Sequence, residues 1–170
     1  MASFSFRRPE PLQANHSIEG FDCGVPELNN YLRKHALVSQ NSRASRTYVC
    51  CREDGQLVGY YSLAFQSIPS LEAPGRMKKG MPRNDIPAIL LARLAVDTTV
   101  QGIGLGRELI RDAFVRAISA AEIAGCRALI VDAKDEEVAA YYQFLGFETF
   151  PSNPLRLFLL MKDIEKSLQA

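Results

Sequence analysis

Apolar and polar positions recur along this chain with two periods, near 3.6 and near 2, and the switches between them mark the elements. Pro26, just after Asp22 and Gly24, suits the first turn of a helix. Leu28, Tyr31, Leu32 and His35–Ala36 then follow at helical spacing. Thr47–Arg52 and Leu57–Phe65 read as strands, and Asp54–Gly55 between them signals a hairpin. The stretch from Ser67 to Pro87 holds Pro69, Pro74, Pro82 and Pro87 and predicts a long loop, a kind of segment often functional. Ala88–Val96 is almost continuously apolar, as a central strand is. A helix over Gly104–Ala124 puts Leu105, Leu109, Ala113, Ala117 and Ala121 on one side. Glu108, Arg111, Asp112, Ser119 and Glu122 fall on the other side, and Gly125 fits a left-handed closing residue. Ala128–Ala133 is a short apolar strand; a helix joins it to the strand before, so the two must pair in parallel. Asp135 caps a second helix that ends at Gly146, with Glu136 and Glu137 near its positive end. Phe147–Phe150 and Leu155–Met161 predict a closing antiparallel pair. The result is an α/β protein with a sheet of mixed direction.

Composition narrows this picture modestly. With 170 residues, no repeat and no linker, the pattern predicts one domain over 1–170. A 47% hydrophobic and 23% charged chain is ordinary for a globular protein. The net charge of +1 conceals a basic stretch, Arg76, Lys78, Lys79 and Arg83, and a smaller group, Arg43 and Arg46. Such a strip suits a polyanionic partner, and equally a solvated loop. Cys23, Cys50, Cys51 and Cys126 form no C-x-x-C spacing, and with only His16 and His35 beside them no metal site is expected. Cys50 and Cys51 adjoin on a strand and should face opposite ways. Free thiols in a reducing cytoplasm follow, and neither an export signal nor a membrane span is predicted.

The chemistry concentrates where the strand Ala92-Arg93-Leu94-Ala95-Val96-Asp97 feeds Gln101-Gly102-Ile103-Gly104-Leu105-Gly106-Arg107 and a helix. Amides at a helix start lack intrahelical partners and sit at the positive end of the dipole, which makes an anion site. A nucleoside-triphosphate loop is excluded, because no Lys-Ser or Lys-Thr follows the glycines. A dinucleotide fingerprint fits poorly, since Arg107 stands where its third glycine belongs. A plain turn without a ligand stays open on glycine spacing alone.

Gln101, Gly104 and Gly106, together with Tyr142 ahead of Gly146-Phe147, resemble the signature of the GNAT N-acetyltransferases. The resemblance implies acetyl-CoA as co-substrate and no metal. It implies a GNAT fold: a mixed, mostly antiparallel sheet with a splayed parallel central pair, here Ala88–Val96 and Ala128–Ala133, flanked by helices. Coenzyme contacts would come from Leu94, Ala95, Val96, Gln101, Gly102, Ile103, Gly104, Leu105, Gly106, Arg107, Asp132 and Ala133. More specifically, the chain resembles the GNAT toxins of bacterial toxin–antitoxin pairs. The matching segments are Phe21-Asp22-Cys23-Gly24, Leu28-Asn29, Tyr31-Leu32, Thr47-Tyr48-Val49, Leu91–Asp97 and Val131-Asp132-Ala133-Lys134-Asp135. Tyr31 departs from a frequent Trp, and Tyr141 from a frequent Phe. This closer likeness implies acetylation of the amino acid on aminoacyl-tRNA, a ribbon-helix-helix antitoxin as partner, and a homodimer.

Roles follow from the same likeness. Tyr142 would donate to the coenzyme sulfur; otherwise it only packs. Tyr141, about 100° away around the helix, cannot face the same slot. Amides at Leu94–Val96 would polarise the thioester oxygen. No general base is evident, and an α-amine, titrating near ~8, needs less help than a lysine near ~10.4. Arg33, Lys34, Arg76, Lys78, Lys79, Arg83 and Arg93 are the expected tRNA phosphate contacts. Arg93 lies in an apolar strand, so it should face the slot, meet a polyanion or pair with a carboxylate. Two other functions compete: acetylation of a small amine or protein N-terminus, and a non-catalytic acyl-CoA-binding module.

Overall fold

The computed structural model describes residues 5–170; the export-signal reading rests partly on residues 1–4, which lie outside them. In chain order the elements are β1 (Glu10–Pro11), α1 (Pro26–Asn30), a π-helical turn (Tyr31–His35), α2 (Ala36–Ser42), β2 (Arg46–Cys51) and β3 (Leu57–Ile68). Next come α3 (Gly75–Lys78), β4 (Ile86–Val96), a 3-10 turn (Thr98–Val100) and α4 (Leu105–Ile123). The chain ends with β5 (Ala128–Asp132), α5 (Glu136–Phe144), β6 (Glu148–Phe150), β7 (Asn153–Leu160) and α6 (Met161–Gln169). The strands make one seven-stranded sheet in the order β1-β2-β3-β4-β5-β7-β6. β1/β2, β2/β3, β5/β7 and β6/β7 pair antiparallel, while β4/β5 is parallel, as a helical crossover requires. Parallel register runs from Ala88↔Ala128 to Leu91↔Val131, and β4 continues to Val96 beyond it. Contacts divide the chain into two compact units: residues up to Ala64 with Ala92–Ala113, and Phe65–Leu91 with Phe114–Ala170.

In the first unit the β2–β3 hairpin turns at Gly55, whose φ of 91° favours glycine. Asp54 accepts the Gln56 N–H at 2.9 Å there. Strand alternation then sends Tyr60 and Tyr61 to opposite faces. Tyr60 joins Phe21, Tyr31, Leu32, Ala36, Val49 and Leu57 in one core. The Tyr61 phenol instead donates to Asp112 of α4. Asp112, expected on the polar side of its helix, is therefore partly buried by a partner 51 residues away. α4 lies close on β3: a Cβ on Gly59 would stand 3.0 Å from Leu109 Cδ1 and 3.4 Å from Ala95 O.

The second unit has its own core, built on Ile68, Met77, Ile86, Ala88, Ala128, Ile130, Phe150 and Phe158. The expected long loop is shorter, because β3 runs to Ile68 and β4 begins at Ile86. It is also anchored. Met77 is fully buried, and the Arg127 guanidinium donates to the carbonyls of Met77 at 2.9 Å and Lys79 at 3.0 Å. Gly125 does not take the left-handed conformation expected of it; α4 ends without that device, and the glycines with positive φ lie elsewhere. Asp135 caps α5 as expected, accepting the Val138 N–H at 2.9 Å, and Gly146 closes it with a φ of 105°. Met161 opens α6 rather than closing β7, and α6 buries Ile164. No helix among the described residues is long and apolar enough to cross a membrane.

Candidate active site

The glycine turn is shaped by backbone geometry before any ligand is considered. Gly102 and Gly104 have φ values of 77° and 93°, a region that disfavours a side chain. No atom lies within 4 Å of a Cβ built at either, and a Cβ on Gly106 would meet only Val96 Cγ2, at 3.9 Å. The Glu108 N–H bonds the Gly104 carbonyl at 3.2 Å, opening the ladder of α4. The amides of Leu105, Gly106 and Arg107 thus precede the first intrahelical bond, at the positive end of a 19-residue helix. Leu105 turns inward to anchor the turn, while Ile103 and Arg107 are exposed.

Gln101 braces this turn. Its side-chain amide donates to the Val96 carbonyl at 2.8 Å and the Cys23 carbonyl at 3.1 Å. Behind it, buried Asp97 accepts the Asp22 N–H at 3.0 Å, the Thr99 N–H at 2.9 Å and the Thr99 hydroxyl at 2.7 Å. Asp22 accepts from the Gly24 N–H and the Asn29 amide, and Asn29 accepts the Cys23 N–H. Residues 21–24 and 97–101 are thereby tied into one rigid assembly. The Asp22 carboxyl is held below its ordinary range by the Gly24 N–H and Asn29. At Asp97 burial opposes ionisation, but the Asp22 and Thr99 donors prevail and lower it. Sequence reasoning did not single out Asp97, although its place just after the strand was visible.

β4 presents its own donors. The Asp97 N–H bonds Val58 O at 2.8 Å, toward β3. By strand alternation the Leu94 and Val96 amides point away from β3, and the Val96 carbonyl, on that same side, is the one Gln101 takes. Ala95 faces the core between them.

Three expected site residues belong to the second unit. The Tyr142 ring is 8% exposed and edge-on to Phe147, with ring centroids 5.2 Å apart. Burial, with a smaller contribution from Tyr141, pushes its phenol up to about 12, and its hydroxyl makes no hydrogen bond among the described residues. Tyr141 is exposed where Tyr142 is buried, and the two rings meet edge-on with centroids 5.8 Å apart. Asp132 lies 3.1 Å from Arg156 Nε, across the β5–β7 register. The Ala133 N–H donates to Leu155 O at 2.7 Å.

The basic residues separate into engaged and free. Arg76 is bonded to Glu148 and lies 3.1 Å from Asp163. Arg33 donates to the Phe21 carbonyl at 2.7 Å. Lys34, Lys78, Lys79 and Arg83 are exposed. Arg93 has no carboxylate in an ion pair among the described residues; its guanidinium carbon sits 3.6 Å from the centroid of the Tyr31 ring.

One cluster outside these motifs has metal-ligand chemistry. Glu10, His16 and Cys51 bring ligand atoms within 4.8 Å of one another. His16 Nδ1 accepts the Gln13 N–H at 2.9 Å, which leaves the proton on Nε2, and Nε2 donates it to Glu10 at 2.8 Å. A ring so placed has no lone pair to offer a metal, and the Gln13 amide, His16 and Glu10 form a hydrogen-bonded clamp beside Cys51.

A left-handed glycine turn opens a long helix and is braced against a strand that outruns its parallel neighbour. Residues 43–149 match the acetyltransferase (GNAT) domain, and the chain belongs to the GNAT acetyltransferases. It is 44% identical over 158 residues to the tRNA-acetylating toxin of Mycobacterium tuberculosis strain H37Rv, covering 93% of this chain and 94% of that one. It is similar to the structure of AtaT complexed with acetyl-methionyl-tRNAfMet, with a TM-score of 0.86 and 31% identity over 98% of this chain and 99% of the other. A tyrosine-to-phenylalanine variant of AtaT bound to the C-terminus of the antitoxin AtaR and acetyl-CoA gives a TM-score of 0.82 and 29% identity, covering 98% and 99% of the two chains.

Proposed function

We infer that this chain transfers the acetyl group of acetyl-CoA to the α-amino group of aminoacyl-tRNA, as the toxin of a toxin–antitoxin pair. The observation that carries this reading is the 44% identity, over 93% of the chain, to a toxin named for acetylating tRNA. The chain's own geometry supports the donor half. The open left-handed turn at Gly102 and Gly104 and the bare backbone at Gly106 suit a pyrophosphate. The amides of Ile103, Leu105, Gly106 and Arg107 would hold it, with Gln101 acting through its brace on Val96. Leu94, Ala95 and Val96, with Asp132 and Ala133, are the residues proposed along the rest of the coenzyme.

Acetyl-CoA, when bound, supplies an activated acetyl thioester. The Leu94 and Val96 amides are the donors available to negative charge developing on the acyl oxygen. Tyr142 keeps its proton at every physiological pH, and its unbonded hydroxyl can donate to the departing sulfur. No side-chain base is needed where the nucleophile is an α-amine, a useful fraction of which is neutral near pH ~8. Lys34, Lys78, Lys79 and Arg83 are the basic residues free to meet tRNA phosphates; Arg33 and Arg76 would first have to leave their partners. The resemblance adds a ribbon-helix-helix antitoxin and a homodimer to the proposal, and the absence of repeats and linkers supports reading residues 1–170 as one domain.

Expression without an antitoxin tests the reading in cells. Growth should arrest and translation fall, and Tyr142→Phe should restore both. Arrest that persists undiminished in the variant would count against the assigned chemistry.

A further inference from the structure

Asp112 is a charged group of α4 that the proposed transfer leaves unused. It lies roughly two turns beyond Leu105, and the buried Tyr61 phenol of β3 donates to its carboxylate. Leu105, Leu109 and Asp112 recur at i, i+4 and i+7, one face of a helix. Gly59 and Tyr61 recur at i and i+2, one face of a strand. The two rows meet at two points. At Gly59 a Cβ would stand 3.0 Å from Leu109 Cδ1 and 3.6 Å from Leu105 Cδ2, so the helix lies as close as bare backbone allows. At Tyr61 the contact is a hydrogen bond from a held ring. Tyr48, its register partner on β2, stacks on it with centroids 5.2 Å apart and planes 28° apart.

The two contacts fix different things. Leucine against glycine sets how near the helix lies, but apolar contact is non-directional and does little to stop a helix sliding or turning. A phenol donating to a carboxylate is directional and charge-assisted, so it fixes position along the axis. A slip of one residue would carry the Leu105, Gly106 and Arg107 amides about 1.5 Å with the helix. We propose that the Tyr61–Asp112 bond is the axial stop of α4, and that both are positioning residues for the pyrophosphate of acetyl-CoA. Asp112 lies about 10 Å along the axis from those amides, so it acts through the helix and not on the coenzyme. This rests on the acetyl-CoA half of the proposed transfer and deepens it.

Calorimetric titration with acetyl-CoA compares wild-type protein with Tyr61→Phe, Asp112→Ala, Asp112→Asn and the Tyr61→Phe/Asp112→Ala pair. Each end of the bond is removed separately, so the test stands if one variant does not fold. Tyr61→Phe and Asp112→Ala should each weaken binding about 10-fold or more, and the pair no further than either alone. Asp112→Asn keeps an acceptor for the phenol and should recover most of the affinity. With charged tRNA as acceptor, the loss should appear in KM for acetyl-CoA while kcat at saturation is retained, a split that general destabilisation would not produce. Wild-type affinity in Tyr61→Phe or Asp112→Ala, additive losses in the pair, a loss confined to kcat, or Asp112→Asn as weak as Asp112→Ala overturns the axial stop. Acetyl-CoA bound by wild type without transfer to charged tRNA overturns the acceptor reading, and the titrations still decide the bond. Wild-type protein that binds no acetyl-CoA overturns the donor reading, and the inference with it.

Discussion

Tyr31 in the first unit and Tyr142 in the second are 7% and 8% exposed, yet their phenols are driven in opposite directions. Burial favours the neutral form of both. At Tyr31 the hydroxyls of Ser45, Ser62 and Ser39 and the charge of Arg93 outweigh it, and the phenol becomes more acidic than usual. At Tyr142 burial acts nearly alone, and the phenol is pushed up to about 12. The difference lies in the neighbours. A tyrosine supplied with hydrogen-bond partners is fixed in place and serves as a platform. One packed only by rings keeps its proton and its donor capacity for something that arrives later.

The largest effect should come from the bare hydroxyl. Tyr142→Phe keeps the ring packing on Phe147 and should lower kcat about 100-fold or more. Because the Tyr142 phenol sits near 12, the pH–rate profile should show no limb from it below pH ~10, only the rise of the acceptor amine near ~8. A variant with wild-type kcat would reduce Tyr142 to packing and erase the contrast. Next in size is Gly104→Ala, which forces a side chain into a φ of 93°. The strain, about 1–3 kcal/mol, should appear as weaker acetyl-CoA binding by calorimetry. Unchanged affinity would remove the turn from the donor site.

Tyr31→Phe tests the platform. It keeps the ring beneath Arg93 and strands the Ser45 hydroxyl, so stability should fall by about 1 kcal/mol in a denaturant titration. A loss of turnover comparable with that of Tyr142→Phe would break the comparison from the other side. The smallest effect concerns Asp97, an acid whose donors outweigh burial as they do at Tyr31. Its folded pKa lies below the ordinary 3.8, so its stabilising contribution is present above that value and is lost as pH falls through the folded one. Asp97→Asn should be less stable at neutral pH and show a shallower decline below pH ~4. Parallel acid curves for the two proteins would contradict this.

What was legible in the sequence was local. Asp54–Gly55, the Asp135 cap and the glycine turn each declare themselves within a few residues, and the structure realises all three. What was not legible depends on distant partners. Asp97 meets the Asp22 amide 75 residues away, Gln101 reaches Cys23 across 78, and Arg76 meets Glu148 across 72. Nothing in the spacing of Gln101 and the glycines reveals that its side chain braces the turn. Arg93 illustrates the same limit: its charge in an apolar strand was visible, but its stacking partner on the π-helical turn was not. α6 was missed for another reason. The apolar run through Met161 reads as one strand to its end, although Ile164 and Leu168 follow Met161 at helical spacing.

The central claim, acetyl transfer to the α-amine of aminoacyl-tRNA, is tested most directly by chemical identification of the product. A complete pool of charged tRNA is incubated with the purified protein and isotopically labelled acetyl-CoA, the ester bonds are hydrolysed, and the released amino acids are identified by mass spectrometry. The account predicts labelled Nα-acetyl amino acids, with the yield collapsing for Tyr142→Phe. Label confined to lysine side chains or to protein, or an equal yield from the variant, would contradict it.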